Sequence, residues 1–281
     1  MDSSQLLGIT TLTYLLASFL YIGVLIFKAR FLGKIATIFT IGALLVQTIG
    51  IGLRWYESYQ LGIGHAPLSN MYESVVFFAW TIVLFYLGVE FRFKNKSIGA
   101  FAIPLAFLAM AYASFAPINR GITPLVPALQ SNWLLAHVIT CFVGYAAFAV
   151  AAALGIMFII KYYSSSAQTD EHTTSILPSL ELLDDIIHKS MIFGFIWLSA
   201  GIITGAVWAN SAWGTYWSWD PKETWSLITW FVYAFTLHAR YTRGMKGITI
   251  AWLSLIGLAA VIFTYYGVNF LLSGLHSYGS N

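Results

Sequence analysis

The sequence predicts an all-α, polytopic membrane protein of about eight transmembrane helices, with both termini on the extracytoplasmic side. Three observations carry that prediction. Hydrophobic residues make up 59% of the 281 positions and charged residues only 9%, far below the quarter or so usual in soluble domains. Apolar runs long enough to cross a hydrocarbon core, about 20 residues each, recur from near the N-terminus to near the C-terminus. Lys and Arg collect in alternate connections between those runs, as they do in loops that stay in the cytoplasm. No stretch remains for a soluble domain, so residues 1–281 are expected to form one integral membrane domain.

The first run, about 6–27, lacks a basic leader and a small-residue cleavage site, and Lys28 and Arg30 follow it directly; it reads as a retained span rather than a signal peptide. Further spans are expected near 34–53, 71–90, 98–116, 133–160, 189–209, 222–238 and 248–269. Lys28, Arg30 and Lys34 follow the first span, and Arg92, Lys94 and Lys96 the third. Lys161 and Lys189 bracket the loop after the fifth, and Arg240, Arg243 and Lys246 follow the seventh. The opposite loops hold only Arg54, Arg120 and Lys222 of the 14 cations. The asymmetry puts both termini, and the aromatic segment at about 210–226, outside the cytoplasm. In the long inner loop, about 161–188, "LPSLELLDDIIHKS" sets Leu180, Leu183, Ile187 and Met191 at helical spacing. A surface-lying amphipathic helix and a plain connector both fit it.

The stretch "WGTYWSWDPKETW", residues 213–225, concentrates Trp213, Tyr216, Trp217, Trp219 and Trp225 at one spot. Asp220, Pro221 and Glu223 spell a helix start, with Asp as N-cap, Pro at the first helical position and a carboxylate at the third. Trp213, Tyr216 and Trp217 are spaced to share one side if the stretch is helical. The residues support two readings: an interfacial aromatic belt, or a shelf for a large planar ligand whose carboxylates are drawn to Lys222 and the positive helix end. Haem has that shape and charge.

His137 sits one short turn into span 5 from the outer side, and His276 lies in the outer tail "NFLLSGLHSYGS". Both fall at the depth of the tryptophans, where a pair of imidazoles would suit six-coordinate haem iron. On residue type alone each reads equally as an ordinary interface histidine. His238 is 17 residues past Pro221, about 25 Å along a helix, so it lies toward the cytoplasmic side. A functional ionisable group at membrane depth and a cation at a helix end both explain it. His65, in "GHAPLSNMYES", is expected to structure its loop or to contribute to the outer site. Cys141 is the only cysteine, which excludes an internal disulfide and a Cys-x-x-Cys-His haem attachment site in this chain. A net charge of +3 on so apolar a chain bears on orientation, not on nucleic acid.

"WGTYWSWDPKETW" resembles the WWD signature of haem-handling membrane proteins, and with "GHAPLSNMYES" and "LSGLHSY" it is similar to the CcsA/ResC family of System II cytochrome c biogenesis. The resemblance runs from about residue 40 to the C-terminus. It implies haem b, as substrate and bound ligand, held outside the membrane between His137 and His276 on Trp213, Trp217, Trp219, Asp220 and Trp225. It also implies that His238 belongs to a haem site within the membrane whose second ligand comes from a CcsB/ResB-type subunit. The implied task is haem export and covalent attachment to an apocytochrome c bearing Cys-x-x-Cys-His, supported by a thioredoxin-like thiol reductant pathway. A bacterial cytoplasmic membrane or a thylakoid membrane would house it. Two alternatives stand beside it: a CcmC-type protein that passes haem to a chaperone, and a b-type electron-transfer subunit, which would need paired histidines at matching depth.

Overall fold

The computed structural model describes residues 2–166 and 176–272. Among them no strand occurs, and the chain runs through long helices. These are α1 (Ser3–Phe27), α2 (Arg30–Gln60), α3 (Met71–Phe93), α4 (Gly99–Phe115), α5 (Asn132–Ser166), α6 (Leu180–Trp213), α7 (Pro221–Arg243) and α8 (Ile248–Ile262). A π turn, Phe263–Gly267, carries α8 into the short α9 (Val268–Leu271).

Local chemistry sets the helix ends. Asp2 and Gln5 form a capping box on α1, Asn70 Oδ1 accepts from Glu73 N at 2.9 Å, and Ser179 Oγ accepts from Leu182 N at 3.1 Å; each side chain meets a backbone donor that the first turn leaves open. Gly214 and Gly244 close α6 and α7 in left-handed conformation, where a Cβ would be costly.

Among the described residues seven helical segments are long and apolar enough to cross a membrane, and the protein is an integral membrane protein. The one long helix outside that set is α7, whose 23 residues span about 34 Å at 1.5 Å per residue. Its shortfall is composition, since Lys222, Glu223, His238, Arg240 and Arg243 all lie on it. The inner-loop stretch beginning at Leu180 is neither a separate surface helix nor a connector. It forms the first turns of α6, with Leu183, Ile187 and Met191 buried.

Helix α5 runs through the core and packs against α3, α4, α6 and α8. Its small residues Ala146, Ala147, Ala149 and Ala151 to Ala153 are buried, so its neighbours approach closely. Large apolar side chains such as Leu12, Phe19, Ile38, Leu45 and Ile49 are exposed on α1 and α2, as befits a surface solvated by acyl chains rather than water.

The two ends of the bundle differ chemically. At one end the connections carry most of the cations and are tied by Lys96 Nζ to Glu90 at 2.8 Å, Arg240 to Asp184 at 2.9 and 2.6 Å, and Gly247 N to Asp184 at 2.8 Å. At the other, Ser3 Oγ donates to Glu57 at 2.5 Å, Arg54 pairs with Glu73, and Lys222 meets Asn269. The tryptophan-rich segment and His137 share this second end.

Candidate functional site

The site begins with a close helix contact. Helices α5 and α6 approach through Gly144, Gly194, Gly201 and Gly205. A Cβ on Gly144 would lie 3.0 Å from Gly194 O, and one on Gly201 would lie 2.6 Å from Cys141 Sγ. Four residues on, a Cβ on Gly205 would come 2.6 Å from His137 Nδ1. The glycines open the slot in which that imidazole lies.

His137 Nδ1 is 2.8 Å from the carbonyl oxygen of Gly201. A carbonyl only accepts, so Nδ1 carries the proton and Nε2 is left with its lone pair. Nε2 has no hydrogen-bond partner among the described residues. Trp208 stacks on the ring at 5.8 Å and 15°, while its own Nε1 donates to Ala128 O at 2.9 Å, which ties the loop before α5 to α6. A histidine fixed through one nitrogen and open at the other has a lone pair that can bind a metal.

His137 belongs to the wall of a cavity at this end of the bundle. Met71, Tyr145, Tyr216, Trp217, Lys222 and Asn269 line it as well. The π turn contributes Tyr265, whose hydroxyl is 2.5 Å from Ser74 Oγ. Such turns frequently mark functional positions.

The loop before α3 is held from beneath. Glu73 accepts from Arg54 Nε at 2.8 Å, from Ser69 N at 2.9 Å and from Ser69 Oγ at 2.7 Å, and Arg54 Nη2 donates to Arg120 O at 2.7 Å. His65 is buried with Nδ1 2.9 Å from Ala66 O and Nε2 3.0 Å from Thr123 O. Both its nitrogens are committed to loop structure, so it is not placed to serve as a ligand.

Residues 214–220 are not helical, so the condition under which Trp213, Tyr216 and Trp217 would share one helix face is not met. Trp213 ends α6, and Gly214 at φ 83° turns the chain. Trp219 takes a left-handed φ of 59°, an uncommon and strained choice for a bulky residue. Ser218 N donates to Glu223 Oε2 at 2.7 Å and Asp220 N to the same oxygen at 3.2 Å. Asp220 caps α7 in return, accepting from Lys222 N at 2.9 Å. The expected start of α7 at Pro221 is the observed one.

The structure separates the residues singled out in the sequence. His137 and Trp217 line the cavity. Trp213 packs behind on Trp208, ring centres 5.1 Å apart. Trp219, 68% exposed, meets the edge of Trp217 at 5.8 Å and 89°. Trp225 turns away to Phe263 at 4.2 Å, and Asp220 acts on the backbone. His276 lies outside the described residues. His238 is at the far end of α7, exposed on a face shared with Phe231 and Phe235. Sequence reasoning missed Trp208 and Gly205; the small-residue spacing of Gly201 and Gly205, four apart, was the available signal.

No group of three His, Cys, Asp or Glu suited to a bare ion occurs among the described residues. One open imidazole suits a metal that arrives with its own equatorial ligands. The fold and site thus define a polytopic membrane protein with an aromatic-lined cavity and, among the described residues, a histidine with one open nitrogen at that end of its bundle. Residues 68–276 match the sequence model of the cytochrome C assembly protein family, and the chain belongs to that family.

Among its relatives is the cytochrome c biogenesis protein CcsA of Mesostigma viride, 41% identical over 251 residues, covering 82% of this chain and 81% of that one. CcsA of Guillardia theta is 39% identical over 298 residues, covering 97% and 95%, and CcsA of Synechococcus sp. (strain CC9902) is 41% identical over 258 residues, covering 84% and 83%. In fold the chain is similar to the solved structure of cytochrome c heme lyase CcmF, with a TM-score of 0.67 at 16% identity. The match covers 94% of this chain and 47% of CcmF, so this chain spans about half its length.

Proposed function

We propose that the chain handles haem b in System II cytochrome c biogenesis and presents it for covalent attachment to apocytochrome c. The observation that carries this is His137: Nδ1 held by Gly201 O at 2.8 Å, Nε2 open, in a cavity that Tyr216 and Trp217 also line. His276 supplies the second axial imidazole, and the remaining tryptophans brace the segment. The site faces away from the cytoplasm, because the opposite end of the bundle carries most of the cations. The membrane is a bacterial cytoplasmic or a thylakoid membrane.

The chain works with a CcsB/ResB-type subunit. His238, outward on α7, is one ligand of a haem site within the membrane, and that subunit brings the other. In the attachment step each thiol of a Cys-x-x-Cys-His segment adds across a haem vinyl group, sulfur to one carbon and hydrogen to the other, with no net change of oxidation state. The thiols are kept reduced by a thioredoxin-like pathway. No side chain of this protein acts as nucleophile; its contribution is positioning, which can supply about 7–11 kcal/mol of a bimolecular barrier. The histidine of the substrate displaces one axial imidazole as product forms, which frees the product.

The test is co-expression with a CcsB/ResB-type partner and a Cys-x-x-Cys-His reporter in a strain lacking its own maturation system. Covalent haem on the reporter is expected, and its loss on His137→Ala or His276→Ala. Full reporter yield and an unchanged Soret band in both variants would overturn the proposal.

A further inference from the structure

Lys222 reaches into the same cavity as His137. Its Nζ donates to Asn269 Oδ1 at 3.1 Å, a neutral acceptor that is itself oriented by Asn269 Nδ2 donating to Tyr265 O at 2.8 Å. No carboxylate stands in ion-pair range of Nζ among the described residues. The two acidic groups beside it in the sequence are turned to the backbone: Asp220 caps α7, and Glu223 takes the N–H groups of Ser218 and Asp220.

A cation drawn into a protein wall without an opposite charge is costly. An ammonium has three donors, and one neutral acceptor uses only one. A second donor on the cavity wall is also idle. Trp217 Nε1 is buried and has no hydrogen-bond partner among the described residues, a state that buried indole nitrogens seldom keep. The cavity therefore joins the His137 imidazole to an ammonium with donors to spare and to an idle indole N–H, while the carboxylate on its wall, Glu223, is taken by the N–H groups of Ser218 and Asp220.

We infer that Lys222, seconded by Trp217 Nε1, is a positioning residue that takes a carboxylate of the bound porphyrin, so that the cavity selects the free dicarboxylic acid and fixes which edge of the macrocycle points inward. This rests on the haem-handling role proposed above and adds the polarity of binding. With the carboxylate edge drawn to Lys222, the rest of the ring's rim is left for the incoming thiols. Ligation at iron and anchoring at the carboxylate are separate contacts. The first is the task of His137 and the second that of Lys222.

The experiment titrates the full chain, purified with its partner subunit, against haem and against haem dimethyl ester, following the Soret band. The parent protein is expected to bind the diester about tenfold or more weaker than haem, the worth of a charge-assisted hydrogen bond. Lys222→Met is expected to bind both forms alike, near the parent's affinity for the diester, with the Soret position set by His137 unchanged. Lys222→Arg keeps the charge and is expected to retain the preference, which guards against a variant that merely folds poorly. Should Lys222→Met still prefer free haem as the parent does, the role of Lys222 is wrong while haem handling stands. Should the parent bind neither form, both proposals fall.

Discussion

Gly205 stands where any Cβ would fall 2.6 Å from Nδ1 of His137 and 2.8 Å from its Cε1. The missing side chain on α6 is thus what admits the imidazole of α5. Gly205→Ala must push the ring off Gly201 O or part the helices, at a cost of about 1–3 kcal/mol. The expected outcome is a shifted and weakened Soret band and a loss of reporter cytochrome approaching that of His137→Ala. A thermal melt read beside it separates ring displacement from unfolding, and unaltered haem spectra would refute the dependence.

Arg54 and Glu73 form an ion pair with side chains only 4% and 1% exposed. Arg54→Ala leaves Glu73 buried beside Ser69 without its countercharge, which should cost about 3–5 kcal/mol. A large fall in melting temperature or in folded yield is expected. Replacing both residues by apolar ones of similar volume should restore much of it.

Trp219 holds a left-handed backbone while most of its ring is exposed. Glycine adopts that conformation freely, so Trp219→Gly is expected to leave stability unchanged or raise it by up to about 1 kcal/mol. Reporter cytochrome should nevertheless fall, because the ring that braces Trp217 is gone. A destabilised but fully active variant would contradict the proposed division of labour.

His238 has no described hydrogen bond from its ring and sits on the outward face of α7. His238→Ala in the chain alone is expected to change stability by no more than about 0.5 kcal/mol. In complex with the partner subunit the same change should remove a haem signal that the isolated chain never shows. Equal haem content with and without His238 in the complex would dispose of the inner site.

The helices were legible because their signals are local or periodic. Asp220, Pro221 and Glu223 are contiguous, and their capping box forms as the sequence proposed. The segment between α6 and α7 does not meet the helical condition on which its ring spacing depended, since Gly214 ends the helix one residue after Trp213, and spacing counted across a turn has no helical meaning. The stretch from Leu180 was ambiguous for a related reason. Its polar residues read as a loop, yet Asp184 is consumed by Arg240 and Gly247 on other elements.

By itself the sequence determined that this protein lives in a membrane, where α7 starts, and which end of the bundle carries the tryptophans, because hydropathy, capping and charge act over a few residues. Only the tertiary structure decided that Trp217 lines the cavity while Trp225 leaves it, that Gly201 and Gly205 hold His137 to one tautomer, and that Lys222 points inward. Those outcomes depend on contacts between residues such as His137 and Gly201, 64 positions apart, and no local pattern encodes which neighbour a packed helix will meet.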